Sequence, residues 1–355
     1  MSGPHTAVEL PDRAERIEAL RAVIGRPAPS AAIIPERLWT IFEEHYDRVG
    51  SPIIDRSWPR SEADENRRRF LRKGRFIGGR YLSISYVPVA LGVASPLRVL
   101  PFAAPLEQLV LGPALLVGEP LIVRTTAALV PALIAAAPID LRVTALLAGL
   151  CTAYDQSFDD WPPGFDPVER HEHLERLWRR PEGAPGGPEP GSVALTRALL
   201  VEIKASLDPD RYDELAQLGC NASEAEMRSG LDLPDPEMLS HRRAAAVSTI
   251  DAMIIQSGSV APIVRDWLHD LAVFTQLVDD WVDVETDVEL RETPVLTGSI
   301  GLWDLESRWA RLLAGLAAML RSCGIHERRT TEMIDDGVRY VIWSGLEGME
   351  HRIAD

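Results

Sequence analysis

The chain has 355 residues, of which 46% are hydrophobic, and its 37 Lys plus Arg against 53 Asp plus Glu leave a formal charge of −16. So acidic a surface repels phosphate, which argues against nucleic acid or an anionic membrane as a partner, so an anionic ligand would need local help from metal ions or clustered arginines. The three cysteines, Cys151, Cys220 and Cys323, are far apart and form no CxxC or zinc-type spacing, which fits free thiols in a reducing cytoplasm.

From the N-terminus, MSGPHTAVEL lacks the basic and then apolar regions of a secretory signal. Apolar residues then recur at helical spacing over Arg13 to Val23 and Glu36 to Val49, so residues 1–60 read as an N-terminal helical extension. The stretch Thr125 to Ile139 is the most apolar, but Pro131 and Pro138 interrupt it and it falls short of the roughly 20 residues that span a bilayer. It reads as a buried core helix, and no membrane span is expected. Helical periodicity returns in Leu141 to Asp160, Val193 to Leu207 and Arg308 to Leu320, and the Pro- and Gly-rich run Arg179 to Gly191 between them reads as a loop. No run of alternating residues requires a sheet. The expectation is an all-α protein, with residues 61–355 forming a single helical-bundle domain whose inward-facing side chains can build ligand sites.

Two acidic clusters interrupt this apolar pattern. The first closes a helix in LLAGLCTAYDQSFDDWPPG, where Asp155 and Asp159 are four residues apart on one face, Asp160 follows, and Pro162 and Pro163 end the helix. The second lies in LAVFTQLVDDWVDVETDVEL, where Asp279, Asp283 and Asp287 form an i, i+4, i+8 series with Asp280 beside the first. Like charges at i, i+4 destabilise a helix by a few tenths of a kcal/mol per pair. Divalent cations would offset that repulsion, and carboxylate oxygens suit Mg²⁺, which takes one or two carboxylates together with water and substrate phosphate.

These residues resemble the class I terpene synthases of bacterial type, over roughly Leu141 to the C-terminus. The first metal motif of that family often reads DDxFDD, and Asp155-Gln156-Ser157-Phe158-Asp159-Asp160 keeps its first acid and its FDD, with Gln156 for the second acid. The second motif, (N/D)D-x-x-(S/T)-x-x-x-E, is matched in spacing by Asp279, Asp280, Asp283 and Asp287, all aspartate. Between them, Glu224 or Glu226, Arg228, Gly230, Pro234 and Arg242 or Arg243 match an E…R..G..P…R stretch, and Arg339-Tyr340 match a C-terminal Arg-Tyr pair.

The resemblance implies the class I isoprenoid synthase bundle and a lyase that ionises a prenyl diphosphate of C15 or C20 with three Mg²⁺ and cyclises the carbocation. Asp155 and Asp159, with Asp160, would hold two ions. Asp279, Asp283 and Asp287, with Asp280, would hold the third. Arg242 or Arg243 would sense the diphosphate, a helix break near Ala245 to Val247 would follow it, and Arg339 with Tyr340 would close over the substrate. Tyr154, Phe158, Phe274, Trp281 and Trp343 are the aromatic candidates for shielding a carbocation. Homodimers are frequent among related enzymes.

Two rival readings remain. Phe274-Thr275-Gln276-Leu277-Val278-Asp279-Asp280 also resembles the FQxxDDxxD of chain-elongating trans-prenyltransferases, although Gly78-Gly79-Arg80 and Arg179-Arg180-Pro181 match that family's second-substrate motifs only in part. The other rival is a non-catalytic protein that binds prenyl lipids, with Gln156 as a trace of decay. Neither an HExxH nor a GxxxxGK[ST] pattern occurs, which disfavours a zinc hydrolase and a nucleotide-dependent reaction.

Overall fold

The computed structural model describes residues 11–57, 68, 71–76, 79, 140–159, 166–183, 190–229, 235–257, 260–284, 301–322, 326 and 328–351. Of these residues 91% are helical and none lies in a strand. The expected core helix Thr125 to Ile139 lies outside the described residues.

Capping chemistry sets several of the helix starts. Asp12 precedes α1 (Arg13–Ile24) and forms a capping box with Glu15: its carboxylate accepts from the Glu15 amide at 2.9 Å, and the Glu15 side chain accepts from the Asp12 amide at 3.3 Å. At the other end Gly25, at φ 77°, turns the chain out of the helix, a backbone region costly for any residue with a Cβ. The second helix, α2 (Ile33–Ser57), buries Leu38, Phe42, Tyr46, Ile53 and Ile54.

Asp140 opens α3 (Leu141–Asp159) by accepting from the Arg142 amide at 2.8 Å, and Asp166 opens α4 (Pro167–Arg179) by accepting from Val168 at 2.8 Å. α4 ends at Arg179 and α5 (Gly191–Ser206) begins at the far side of the expected Pro- and Gly-rich loop, of which residues 184–189 lie outside the described residues. Then come α6 (Pro209–Ser229), α7 (Asp235–Ile254) with a 3-10 turn at Ile255–Ser257, α8 (Pro262–Val282), α9 (Leu302–Ser322) and α10 (Arg328–His351). The helix α7 runs unbroken through Ala245 to Val247, where a break was expected. The Ala244-Ala245-Ala246 run has the highest helix propensity of any residue type and no Gly or Pro interrupts it.

α2, α3 and α5 pack on one another, while α4, α6, α7, α8 and α9 follow each other as packed neighbours. α7 touches both α3 and α8, so it stands between the two helices that carry the acidic clusters. α1 lies against α8, α9 and α10. Ile17, Leu20 and Ile24 of α1 and Phe42 and Tyr46 of α2 belong to the same hydrophobic core as Leu146 of α3 and Leu271 of α8. No helix among the described residues is long and apolar enough to cross a membrane.

Candidate functional site

Both acidic clusters sit at the C-terminal ends of their helices. That is the unfavourable end for an anion, because unsatisfied carbonyls give it a partial negative charge. Neither α3 nor α8 has a basic residue in its last turn. The missing positive charge comes from elsewhere in the chain. Lys73 places its Nζ 2.6 Å from Asp155 Oδ2, and Arg13 of α1 places Nη2 2.7 Å from Asp283 Oδ1. The fully buried Arg16 donates to the Val282 carbonyl at 3.1 Å, which covers one orphan acceptor at the end of α8.

In the first cluster Asp155 is exposed, its side chain 61% accessible. Asp159 is the last residue of α3; its side chain and that of Phe158, together with Asp160, lie outside the described residues. In the second cluster the regular helix ends at Val282, and Asp283 is its C-cap, with its amide donating to the Asp279 carbonyl at 2.9 Å. Asp279 and Asp283 therefore flank a single turn. Asp287 lies outside the described residues.

Asp280 differs from its neighbours. It is 5% exposed, accepts from Gln276 Nε2 at 2.9 Å on Oδ1, and its buried Oδ2 has no hydrogen-bond partner among the described residues. Burial raises its pKa above the ordinary carboxylate range, against the opposing pull of the Arg242 guanidinium and the Gln276 hydrogen bond. A buried carboxylate oxygen without a donor is what a hard cation would use, so the residues present at the end of α8 fit a Mg²⁺ ligand.

Arg242 and Arg243 are adjacent on α7 but do different things. Arg242 is mostly buried and lies 3.4 Å from Glu226 of α6, whereas Glu224 pairs within its own helix with Arg228 at 2.8 Å. Arg243 is exposed and has no ionic or hydrogen-bonded partner among the described residues. Both line a cavity of about 260 Å³ between α7, α8 and α9, with Ser240, Gln276 and Arg308 as its other polar residues and Leu239, Val273 and Leu277 as its apolar wall. Gln276 therefore borders the cavity and holds Asp280.

The C-terminal pair serves packing in this conformation. Arg339 Nε donates to Asp335 at 2.9 Å, and its Nη1 donates to the Ile24 carbonyl at the end of α1. Tyr340 stacks on Trp39 with centroids 5.7 Å apart and donates to Glu36 at 2.7 Å. Among the aromatic candidates, Phe274 is 1% exposed and stacked 5.3 Å from Trp309. Trp281 is buried, and its indole N–H has no hydrogen-bond partner among the described residues. Tyr154 meets the edge of Trp178 at 5.4 Å, and burial raises the pKa of its phenol. Trp343 donates to Glu347 at 3.2 Å beneath the Arg21 guanidinium. Burial raises the Cys151 thiol to about 12 and the Cys220 thiol to about 11, so neither is poised as a thiolate nucleophile.

Lys73, Arg13, Arg16 and Arg308 carry no signal in the linear sequence. Arg308, for instance, sits on an amphipathic helix with the surface arginines Arg311 and Arg321, and only packing distinguishes it from them. Among the described residues no three His, Cys, Asp or Glu side chains converge as a complete metal-binding group. Comparison with protein-family models, with curated proteins and with solved structures finds no match to this chain.

Proposed function

We propose that this protein is a class I terpene cyclase of the isoprenoid synthase type, acting on an allylic prenyl diphosphate of C15 or C20. The observation that carries the reading is the position of α7. It packs between the two helices with acidic C-terminal ends and brings Arg242 and Arg243 to a cavity whose Gln276 also holds the buried Asp280.

On this reading Asp155, Asp159 and Asp160 at the end of α3, and Asp279, Asp280, Asp283 and Asp287 at and beyond the end of α8, hold Mg²⁺ around the diphosphate. Bound Mg²⁺ supplies Lewis-acid neutralisation of the departing oxygens. The allylic C–O bond breaks heterolytically, its electron pair leaves with the diphosphate, and a double bond further along the chain attacks the allylic cation to close a ring. Loss of a proton from the cyclised cation, or capture of water, ends the sequence. Arginines set beside the leaving group favour ionisation because their charge is permanent and already oriented. The aromatics Phe274 and Trp281, buried on the helix that carries the second cluster, would on this reading help to keep water from the cation, with Phe274 stacked on Trp309. The Phe274 to Asp280 run supports chain elongation as the second reading.

The test is incubation of the full chain with Mg²⁺ and C10, C15, C20 or C25 allylic diphosphates, with and without isopentenyl diphosphate, followed by gas chromatography with mass detection. A cyclic hydrocarbon or alcohol from one allylic substrate alone, lost in Asp155→Ala and Asp279→Ala, is the expected result. A longer linear diphosphate that requires isopentenyl diphosphate would assign chain elongation instead. Metal-dependent binding of the substrate without any product would assign a prenyl-lipid-binding protein.

A further inference from the structure

The end of α8 is completed by a side chain from the N-terminal extension. Arg16 of α1 and Val282, the last residue of α8, are both 0% exposed, and Arg16 Nη2 donates to the Val282 carbonyl at 3.1 Å. The other arm of the fork, Nη1, donates to the carbonyl of Pro11, the residue before the N-cap of α1. One guanidinium therefore ties the start of α1 to the end of α8, 266 positions away. A buried guanidinium is a costly way to join two helices, because an apolar side chain of similar volume often packs in its place without loss. An apolar side chain could not satisfy the Val282 carbonyl, however. Buried without a donor, that carbonyl would favour fraying of the last turn. The residue displaced with that turn is Asp283, whose amide closes it on the Asp279 carbonyl at 2.9 Å. Ile17, Leu20 and Ile24 seat α1 in the core, so Arg16 meets Val282 from a fixed support. Arg13, on the same helix, does something different: it occupies Asp283 Oδ1 itself at 2.7 Å.

We propose that Arg16 is a positioning residue for the second acidic cluster, holding the last turn of α8 so that Asp279 and Asp283 are set for a divalent cation, and that α1 is through it part of the metal site. This role rests on the reading of those two aspartates as metal ligands, and it gives the N-terminal extension a task beyond packing. Loss of a nearby positive charge would by itself favour cation binding, as expected for Arg13. Positioning demands the opposite sign, so two arginines of one helix should respond in opposite directions.

Calorimetric titration of the full chain with Mg²⁺ alone tests this, with Asp279→Asn identifying the heat that belongs to the second cluster. Arg16→Met should weaken that binding by about 10-fold or more, the scale on which loss of an outer-shell partner weakens a metal site, whereas Arg13→Met should tighten it. Leu20→Ala, which loosens α1 but leaves Arg16 in place, should lower the melting temperature and bind Mg²⁺ as the wild type does. Binding by Arg16→Met equal to or tighter than wild type overturns the positioning role, and so does an equal weakening in Leu20→Ala, which would assign the effect to packing. Wild-type binding that is absent, or is undiminished in Asp279→Asn, rejects the metal-ligand reading itself and this role with it. Should Arg16→Met fail to fold, nuclear magnetic resonance of the wild type decides: Mg²⁺ should shift the Arg16 guanidinium N–H resonances, and should not do so in Asp279→Asn. Resonances unmoved in the wild type overturn the role.

Discussion

Asp251 and Asp280 are both largely buried, on neighbouring helices, and their surroundings shift them in opposite directions. For Asp251 burial pulls the pKa up, but His269 Nε2 at 2.7 Å and the Arg265 fork at 2.7 and 2.8 Å outweigh it and hold the carboxyl below its ordinary value. A carboxylate with a depressed native pKa stabilises the fold above its unfolded pKa, and that contribution is lost as pH falls through the native value. Asp251→Asn should therefore lower stability at pH 7 by about 2 kcal/mol, the scale of a hydrogen bond to a charged group, with the deficit shrinking below the ordinary carboxylate range. Urea unfolding at pH 7 and pH 3 measures both. For Asp280 the sign reverses. Its raised native pKa means that the folded state holds the proton more tightly, so the ionised group costs stability once pH exceeds the ordinary carboxylate range. Asp280→Asn should stabilise the metal-free protein at pH 7 by on the order of 1 kcal/mol, the scale of an unsatisfied buried polar group, and so raise its melting temperature. An unchanged or lowered melting temperature would mean that Asp280 is already well compensated.

At the scale of the helix, α3 and α8 carry acids where their dipoles are least tolerant of them, and cations from distant segments offset this. Lys73 on Asp155 and Arg13 on Asp283 occupy oxygens that a metal would need. Lys73→Met should tighten Mg²⁺ binding by a few-fold, as removal of an exposed ion pair changes energies by about 1 kcal/mol or less, and Arg13→Met, which breaks a largely buried pair, should tighten it at least as much. Calorimetric titration with Mg²⁺ alone reads this, and weaker binding in either variant would show that the cation supports the acidic end instead of competing for it. The two acidic ends were legible in the sequence, because i, i+4 spacing and the preceding apolar faces place Asp155 and Asp279 without knowledge of any partner. Their counter-ions were not, because Lys73 and Asp155 are 82 positions apart and no local rule links such residues.

At the scale of the molecule, the first two helices are built into the core. Leu20, Ile24, Phe42 and Tyr46 are each 0% exposed, and Arg339 of α10 reaches back to the end of α1 beside Gly25. Removal of residues 1–57 would uncover these contacts on α3, α8 and α10 together. The truncated chain should lose its cooperative thermal transition and bind a hydrophobic dye, as measured by circular dichroism and dye fluorescence. A cooperative transition within a few degrees of the full chain would show instead that the extension is dispensable.

Helical class, the start of α1 at Arg13, the opening of α3 after Asp140, the acidic end of α3 and the placing of Asp279 and Asp280 on an apolar helix all follow from the sequence by itself, since periodicity and i, i+4 spacing act over a single turn or two. The tertiary structure decided where the acidic helix of the second cluster stops, that α7 is continuous through its alanines, and that Arg339 and Tyr340 face the N-terminal helices. It also decided which arginines share a cavity. Arg242 and Arg243 are consecutive residues of the same type, and only the helices packed against α7 give one of them Glu226 and leave the other exposed at the rim of the shared cavity. The charge of a side chain is a local property, but its partner is chosen by contacts between segments far apart in the chain.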